Sequence, residues 1–296
     1  MDNVAAFLRY LNSEKNYSAH TVRAYSKDID GFALHCSDTY GLHNLEKVHY
    51  TMLRDYIIVL SKRGLTMRSI NRKCSALKSL YAYFQKVGII EVHPFAQHKA
   101  VKAKKAFITP FSVAELNTVL EQIDRSDFAG LRDATAIELL YGTGIRQAEL
   151  IGLKTSDIDW ARGQIRVLGK RNKERLVPII PALATALKRY VEQRKAYPGT
   201  SVHSFLLVTN KGNKTHPAFV YRLIKTYFRG VSNKISTSPH VLRHSFATHM
   251  LDAGADINVV KEILGHESLA ATQEYTKVQL PKVQDAYRAA HPRAKK

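Results

Sequence analysis

Cysteine is scarce in this chain. Cys36 and Cys74 are the only two, and both sit inside apolar helical patterns. That excludes a disulfide framework and predicts buried free thiols. There are 13 histidines, but no Cys/His cluster has zinc-like spacing and no HExxH occurs, so no metal is expected. The chain lacks a GxxxxGK[ST] loop, the phosphate cradle of nucleotide-driven enzymes. No apolar run approaches the ~18 residues of a membrane helix. The opening MDNVAAFLRYLNSEK is amphipathic and mixed in charge, not a basic segment before an apolar one, so a secretory signal is not expected and a cytoplasmic location is.

Acid is also in short supply. Lys and Arg number 45 against 25 Asp and Glu, a net charge of +20. Such an excess favours a polyanion partner, nucleic acid above all. A generically basic protein has the same balance, so charge alone does not separate a binder from an enzyme. The 296 residues, 45% hydrophobic and 24% charged, suit an ordinary globular protein of about one to two domains.

The first part of the chain reads as four helices. Residues 2–13 place Val4, Phe7, Leu8 and Leu11 on one face, and residues 19–36 follow Ser18 as N-cap. Further helices are expected at 50–62 and 66–87, with Gly64 and Gly88 as punctuation. Their polar faces are basic: Arg23 and Lys27 on the second, Arg68, Arg72, Lys73 and Lys78 on the last. Such faces can lie along DNA phosphates or simply be solvated. After Pro94 comes a basic stretch with Lys99, Lys102, Lys104 and Lys105. It reads as an extended linker. The domains are therefore expected at 1–99 and 109–296, joined by residues 100–108, as a clamp that closes on a duplex.

The second domain opens with helical patterns at 112–124 and 130–141, and a third begins after YGTG. Gln164–Leu168 and Arg175–Ile179 alternate apolar and polar residues around the turn GKRNKE, a strand pair. Phe205–Val208 is expected to add a third strand. Helices are expected at 181–195, 216–230, 240–253, 256–264 and across most of 267–290. The fold class is thus mainly α in two domains, the second with a small antiparallel sheet.

Three segments carry chemistry: TGIRQAEL, HVLRHSFATHM and LGHESLAATQEYT. His240 and Arg243 are spaced i, i+3 at a helix start and can face one way. These residue types suit attack on a phosphodiester. Two arginines can hold the non-bridging oxygens with paired donors. Histidines donate hydrogen bonds or move protons near neutral pH. A lysine can protonate the departing alkoxide, and a tyrosine can be a covalent nucleophile that stores the bond for rejoining. Each type alone has an ordinary role in capping, solvation or packing; their joint occurrence in a basic chain is what points to chemistry.

With these motifs in view, the sequence resembles the tyrosine recombinase (phage integrase) family, and within it the bacterial Xer recombinases. FLRYLNSEKNYSAHTVRAYSKDI is similar to the start of their four-helix, SAM-like core-binding domain. YGTGIRQAELIGL, GKRNKERLVPI, SPHVLRHSFATHMLDAGADINVVKEILGH and the Tyr275 segment are similar to their catalytic domain, and the ending AAHPRAKK to XerC-like tails.

The resemblance implies roles. Arg146 is the first catalytic arginine, Lys170 the leaving-group acid, His240 and Arg243 the His-x-x-Arg pair, His266 the second histidine, and Tyr275 the nucleophile of a 3′-phosphotyrosine bond. Arg171 stands where Xer relatives commonly have glycine, which keeps Lys173 open as the acid. Glu149, one turn after Arg146, either orients an arginine or is solvated. The family cleaves without metal or nucleotide cofactor. It implies four protomers on double-stranded DNA at a dif-like site, as a homo-tetramer or together with a XerD-like paralogue, a septal DNA translocase as activator, and association with the nucleoid. Residues 279–290 are either a helix donated to a neighbouring protomer or one packed on its own domain. Two other readings stay open, a mobile-element integrase and a non-catalytic architectural protein; a type IB topoisomerase fits the first ~95 residues poorly.

Overall fold

The computed structural model describes residues 2–102, 108–169, 173–200, 203–232, 237–265 and 280–294. The chain divides into two units, Met1–Ala106 and Phe107–Lys296.

In the first unit, four helices bury one apolar face each: α1 (Asp2–Ser13), α2 (Ala19–Tyr40), α3 (Tyr50–Lys62) and α4 (Met67–Lys86). Ser18 caps α2 by accepting from the Thr21 N–H, and Thr66 caps α4 by accepting from Ser69. Helix α2 runs four residues beyond the expected end at Cys36. The polar Ser37–Asp38–Thr39 run does not break it; it ends at Gly41, whose φ of 61° sends its N–H back to Ser37. Phe7, Phe32, Leu53, Leu77, Tyr81 and Phe84 form the core. Cys36 and Cys74 are buried free thiols whose ionisation burial pushes up to about 11.

The second unit starts with α5 (Val113–Gln122), α6 (Phe128–Thr143) and α7 (Gln147–Gly152). Helix α6 is buried on almost every side and is the axis of this unit. A sheet of β1 (Ile158–Asp159), β2 (Gln164–Leu168) and β3 (Glu174–Pro178) follows, antiparallel in that order. Then come α8 (Pro181–Ala196), α9 (Pro217–Phe228), α10 (Pro239–Asp252), α11 (Ile257–Leu264) and α12 (Leu280–Ala290).

One strand expectation is corrected. Phe205–Val208 is not a ladder strand; the third strand is Ile158–Asp159. Leu206, Leu207 and Val208 are buried, which gives the run its strand-like apolarity. Its backbone partners are scattered, however: Phe205 bridges Lys154, and Val208 bridges Lys214.

Helix α12 packs on its own domain. Val283, Tyr287 and Ala290 join the core of the second unit, and the Tyr287 hydroxyl donates to the Gly142 carbonyl of α6. Among the described residues, no helix is long and apolar enough to cross a membrane.

Candidate active site

Helix α6 ends on Gly144, which adopts φ 61°. A Cβ there would lie 2.5 Å from Phe246 and 2.7 Å from Leu264, so glycine is required both for the conformation and for the close approach. The turn brings Arg146 to the start of α7. Glu149 reaches back to the Arg146 N–H at 2.8 Å, an N-terminal cap that also receives the Arg146 guanidinium at 2.9 Å.

Glu149 has a second cation. Arg175 on β3 donates both terminal nitrogens to its two oxygens, at 3.0 and 2.8 Å. Glu149 is 7% exposed. Burial works against its charge, but the hydrogen bonds from Arg175 and Arg146 outweigh it and hold the carboxyl below its ordinary value.

Arg243 enters from the second turn of α10. It is 7% exposed and donates to the carbonyls of Gly144 and Leu264, the latter at 2.7 Å. Burial, and then the nearby charge of Arg146, pull its pKa down to about 10, so it stays a cation at neutral pH.

The end of α11 is where the three guanidinium groups meet. Arg175 donates to Ile263 at 2.8 Å, Arg243 to Leu264, and Arg146 to Gly265 at 3.3 Å. Three consecutive carbonyls at the negative end of a helix thus hold three arginines. The Arg146 side chain keeps 43% of its surface exposed, leaving its charge open to an anion. His240 is exposed on α10, one turn before Arg243. Among the described residues, no group of His, Cys, Asp and Glu could hold a metal.

The structure therefore brings Arg146, Glu149 and Arg243 together. Lys170, His266 and Tyr275 lie outside the described residues, as do Lys104 and Lys105. In the first unit, Arg68 and Lys102 are exposed. Lys73 has a structural tie: it and Arg72 both pair with Asp28, which is 1% exposed between α2 and α4. Arg72 keeps about half of its side chain exposed, Lys73 only 16%. Arg175 was missed by the sequence reading. Its signal was in phase: β-strand alternation puts it on the same face as the buried Val177, leaving Leu176 exposed.

An arginine cluster this dense, at the end of α11, suits the binding of a phosphate group. Residues 106–280 match the phage integrase family, and residues 4–87 match the phage integrase N-terminal SAM-like domain. The chain belongs to the phage integrase family, the tyrosine recombinases, enzymes that cut and rejoin DNA at specific sites. Among curated relatives, it is 36% identical to tyrosine recombinase XerC of Oceanobacillus iheyensis, over 98% of this chain and 96% of that protein. It is 33% identical to tyrosine recombinase XerC of Pelobacter propionicus, over 100% and 97%. In fold it is similar to the Tn1549 transposon integrase in complex with circular intermediate DNA (TM-score 0.72, 20% identity, 96% of this chain and 94% of that one). It is also similar to the XerH recombinase bound to a palindromic difH substrate (TM-score 0.69, 22% identity, 96% and 83%).

Proposed function

We propose that this recombinase cuts one DNA strand with Tyr275 and rejoins it to another, resolving chromosome dimers at a dif-like site. The observation that carries the chemistry is the convergence of Arg146 and Arg243 beside Glu149, where guanidinium charge outnumbers carboxylate among the described residues.

In this reading Arg146 and Arg243 hold the non-bridging oxygens of the scissile phosphate, and His240 and His266 donate to them. The Tyr275 oxygen attacks phosphorus, the bond to the 5′ oxygen breaks, and Lys170 gives that oxygen its proton. The product is a 3′-phosphotyrosine and a free 5′-hydroxyl. Attack by the 5′-hydroxyl of the partner strand reverses the step and releases the tyrosine. Glu149 orients Arg146.

Phosphate contacts along the exposed basic faces, including Arg68, Arg72 and the linker residues Lys102, Lys104 and Lys105, position the duplex. Lys73, held by Asp28, contributes least. Four protomers assemble on two sites, a second Xer-type paralogue completes the tetramer, and a septal DNA translocase activates it at the nucleoid. The names of the curated relatives and the difH complexes of XerH support this setting. The fold of a transposon integrase also supports a mobile-element role, but the curated XerC relatives are more similar in sequence.

A nicked suicide substrate tests the core of the reading. The wild-type protein should form a covalent adduct, and Tyr275→Phe should bind the same DNA without forming one. An adduct that survives in Tyr275→Phe removes the nucleophile assignment; tight binding with no adduct favours an architectural protein. On the 5′-bridging phosphorothiolate, whose leaving group needs no proton, Lys170→Ala should regain cleavage. Failure to do so moves the acid to Lys173 or elsewhere.

A further inference from the structure

Arg175 is the guanidinium of the cluster to which the chemistry above assigns no task. Only 14% of its side chain is exposed, against 43% for Arg146, so it is poorly placed to meet a phosphate itself. Its partners are instead the supports of Arg146. Glu149 Oε1 accepts from Nη1 of both arginines, at 2.9 Å from Arg146 and 3.0 Å from Arg175. Glu149 Oε2 accepts from the Arg146 backbone N–H and from Arg175 Nη2, both at 2.8 Å. Arg175 Nε donates to the Ile263 carbonyl at 2.8 Å, and the Gly265 carbonyl just beyond accepts from Arg146.

Each oxygen of Glu149 thus serves both arginines. The Arg175 fork engages the two oxygens together and fixes the rotation of the carboxylate plane. Without it, the carboxylate is held by one backbone N–H and by the long side chain it has to place. Arg175 also gives the strongest of the hydrogen bonds that keep this buried carboxyl charged. We propose that Arg175 is a positioning residue: it locks Glu149 against the end of α11 and so sets the direction in which Arg146 presents its guanidinium to the scissile phosphate. This rests on the functional reading above. Only a planar fork can make these bonds together; lysine supplies the charge but neither the paired donors nor the Nε bond.

The test uses full-length protein, with Arg175→Lys and Arg175→Gln, on the nicked substrate in single turnover at saturating protein. The lysine variant keeps a charge beside Glu149 and decides the question if the glutamine variant does not fold. Cleavage should fall about a hundredfold, the scale of a misplaced reacting group. DNA affinity should be unchanged. On a scissile methylphosphonate, in which a methyl group replaces one non-bridging oxygen, the deficit should shrink about tenfold, because the charge that Arg146 would meet is gone. In an Arg146→Ala background, Arg175→Lys should cost almost nothing further, because residues that act through one another are not additive. A purely structural role predicts the same loss on both substrates and the full loss in the double variant. Wild-type rates in the Arg175 variants, an equal loss on the two substrates, or additive losses in the double variant overturn the proposal. A wild-type protein that forms no adduct overturns the functional reading instead, and this inference with it.

Discussion

The two units of this protein bury charge differently. Among the described residues, the buried charge of the N-terminal unit is a carboxylate, Asp28, and its cations reach in from the surface. The C-terminal unit buries carboxylates too, Glu138 and Glu149, but it also buries arginines: Arg132, Arg194 and Arg243 are each 7% exposed or less. Arg132 pairs with Asp133, and Arg194 ties down the carbonyls of Thr200 and His203. Arg243 differs from both, because Arg146 and Arg175, of its own sign, outnumber the carboxylate near it, Glu149. Burying a cation beside cations costs stability unless something anionic arrives. Among the described residues, the first unit uses its buried carboxylate to join two helices; the second gathers positive charge at the end of α11.

The largest effect expected from breaking this contrast is at Arg243. Arg243→Ala should lower single-turnover cleavage about a thousandfold, as loss of an oxyanion donor does, with much less effect on DNA affinity in a filter-binding assay.

Acid should sharpen the contrast next. His291 is 1% exposed; burial drives its pKa from 6.5 down to about 4, and its Nδ1 accepts from the Arg293 N–H. The folded value is depressed, so the fold favours the neutral ring. That stability is complete above 6.5 and is lost as pH falls toward 4, roughly 3 kcal/mol in all. Trp160, the single tryptophan, lies in the C-terminal unit, so urea unfolding followed by its fluorescence at pH 7 and pH 5 reads this unit. His291→Phe should flatten the dependence.

Asp28→Ala probes the other side. It removes the buried carboxylate from two cations that remain partly hydrated, for a loss of about 2 kcal/mol in the N-terminal unit. Far-UV circular dichroism should show that loss while the Trp160 transition stays put. Smallest is Tyr287→Phe, which deletes the hydroxyl bond to Gly142 and should cost about 1 kcal/mol in the Trp160 transition.

Much of the fold was legible because burial follows period. Helices α1, α3 and α4 stand within a residue of their apolar repeats, since each has one buried face, and Thr66 caps the start of α4. Where burial is all-round, period says less. Helix α6 is buried on nearly every side and begins two residues before its expected start, at the Asp127 cap. Phe205–Val208 looked like a strand because it is apolar, yet its hydrogen bonds go to several partners. In the site, Arg146 and Arg243 announced themselves through local motifs. Arg175 did not, because its meaning lies in contacts with Glu149 and Ile263, 26 and 88 residues away in sequence. Lys73 was read as part of a basic face; a carboxylate 45 residues upstream decides where it points.

The central claim is that the C-terminal unit cuts DNA through one tyrosine. The chain has 15 tyrosines. Trapping the adduct on a nicked dif-like duplex, digesting both components and sequencing the nucleotide-bearing peptide by mass spectrometry identifies the one that reacts. The account predicts a nucleotide on Tyr275 alone, joined through its 3′ phosphate. A nucleotide on any other residue, or one joined through a 5′ phosphate, would contradict it.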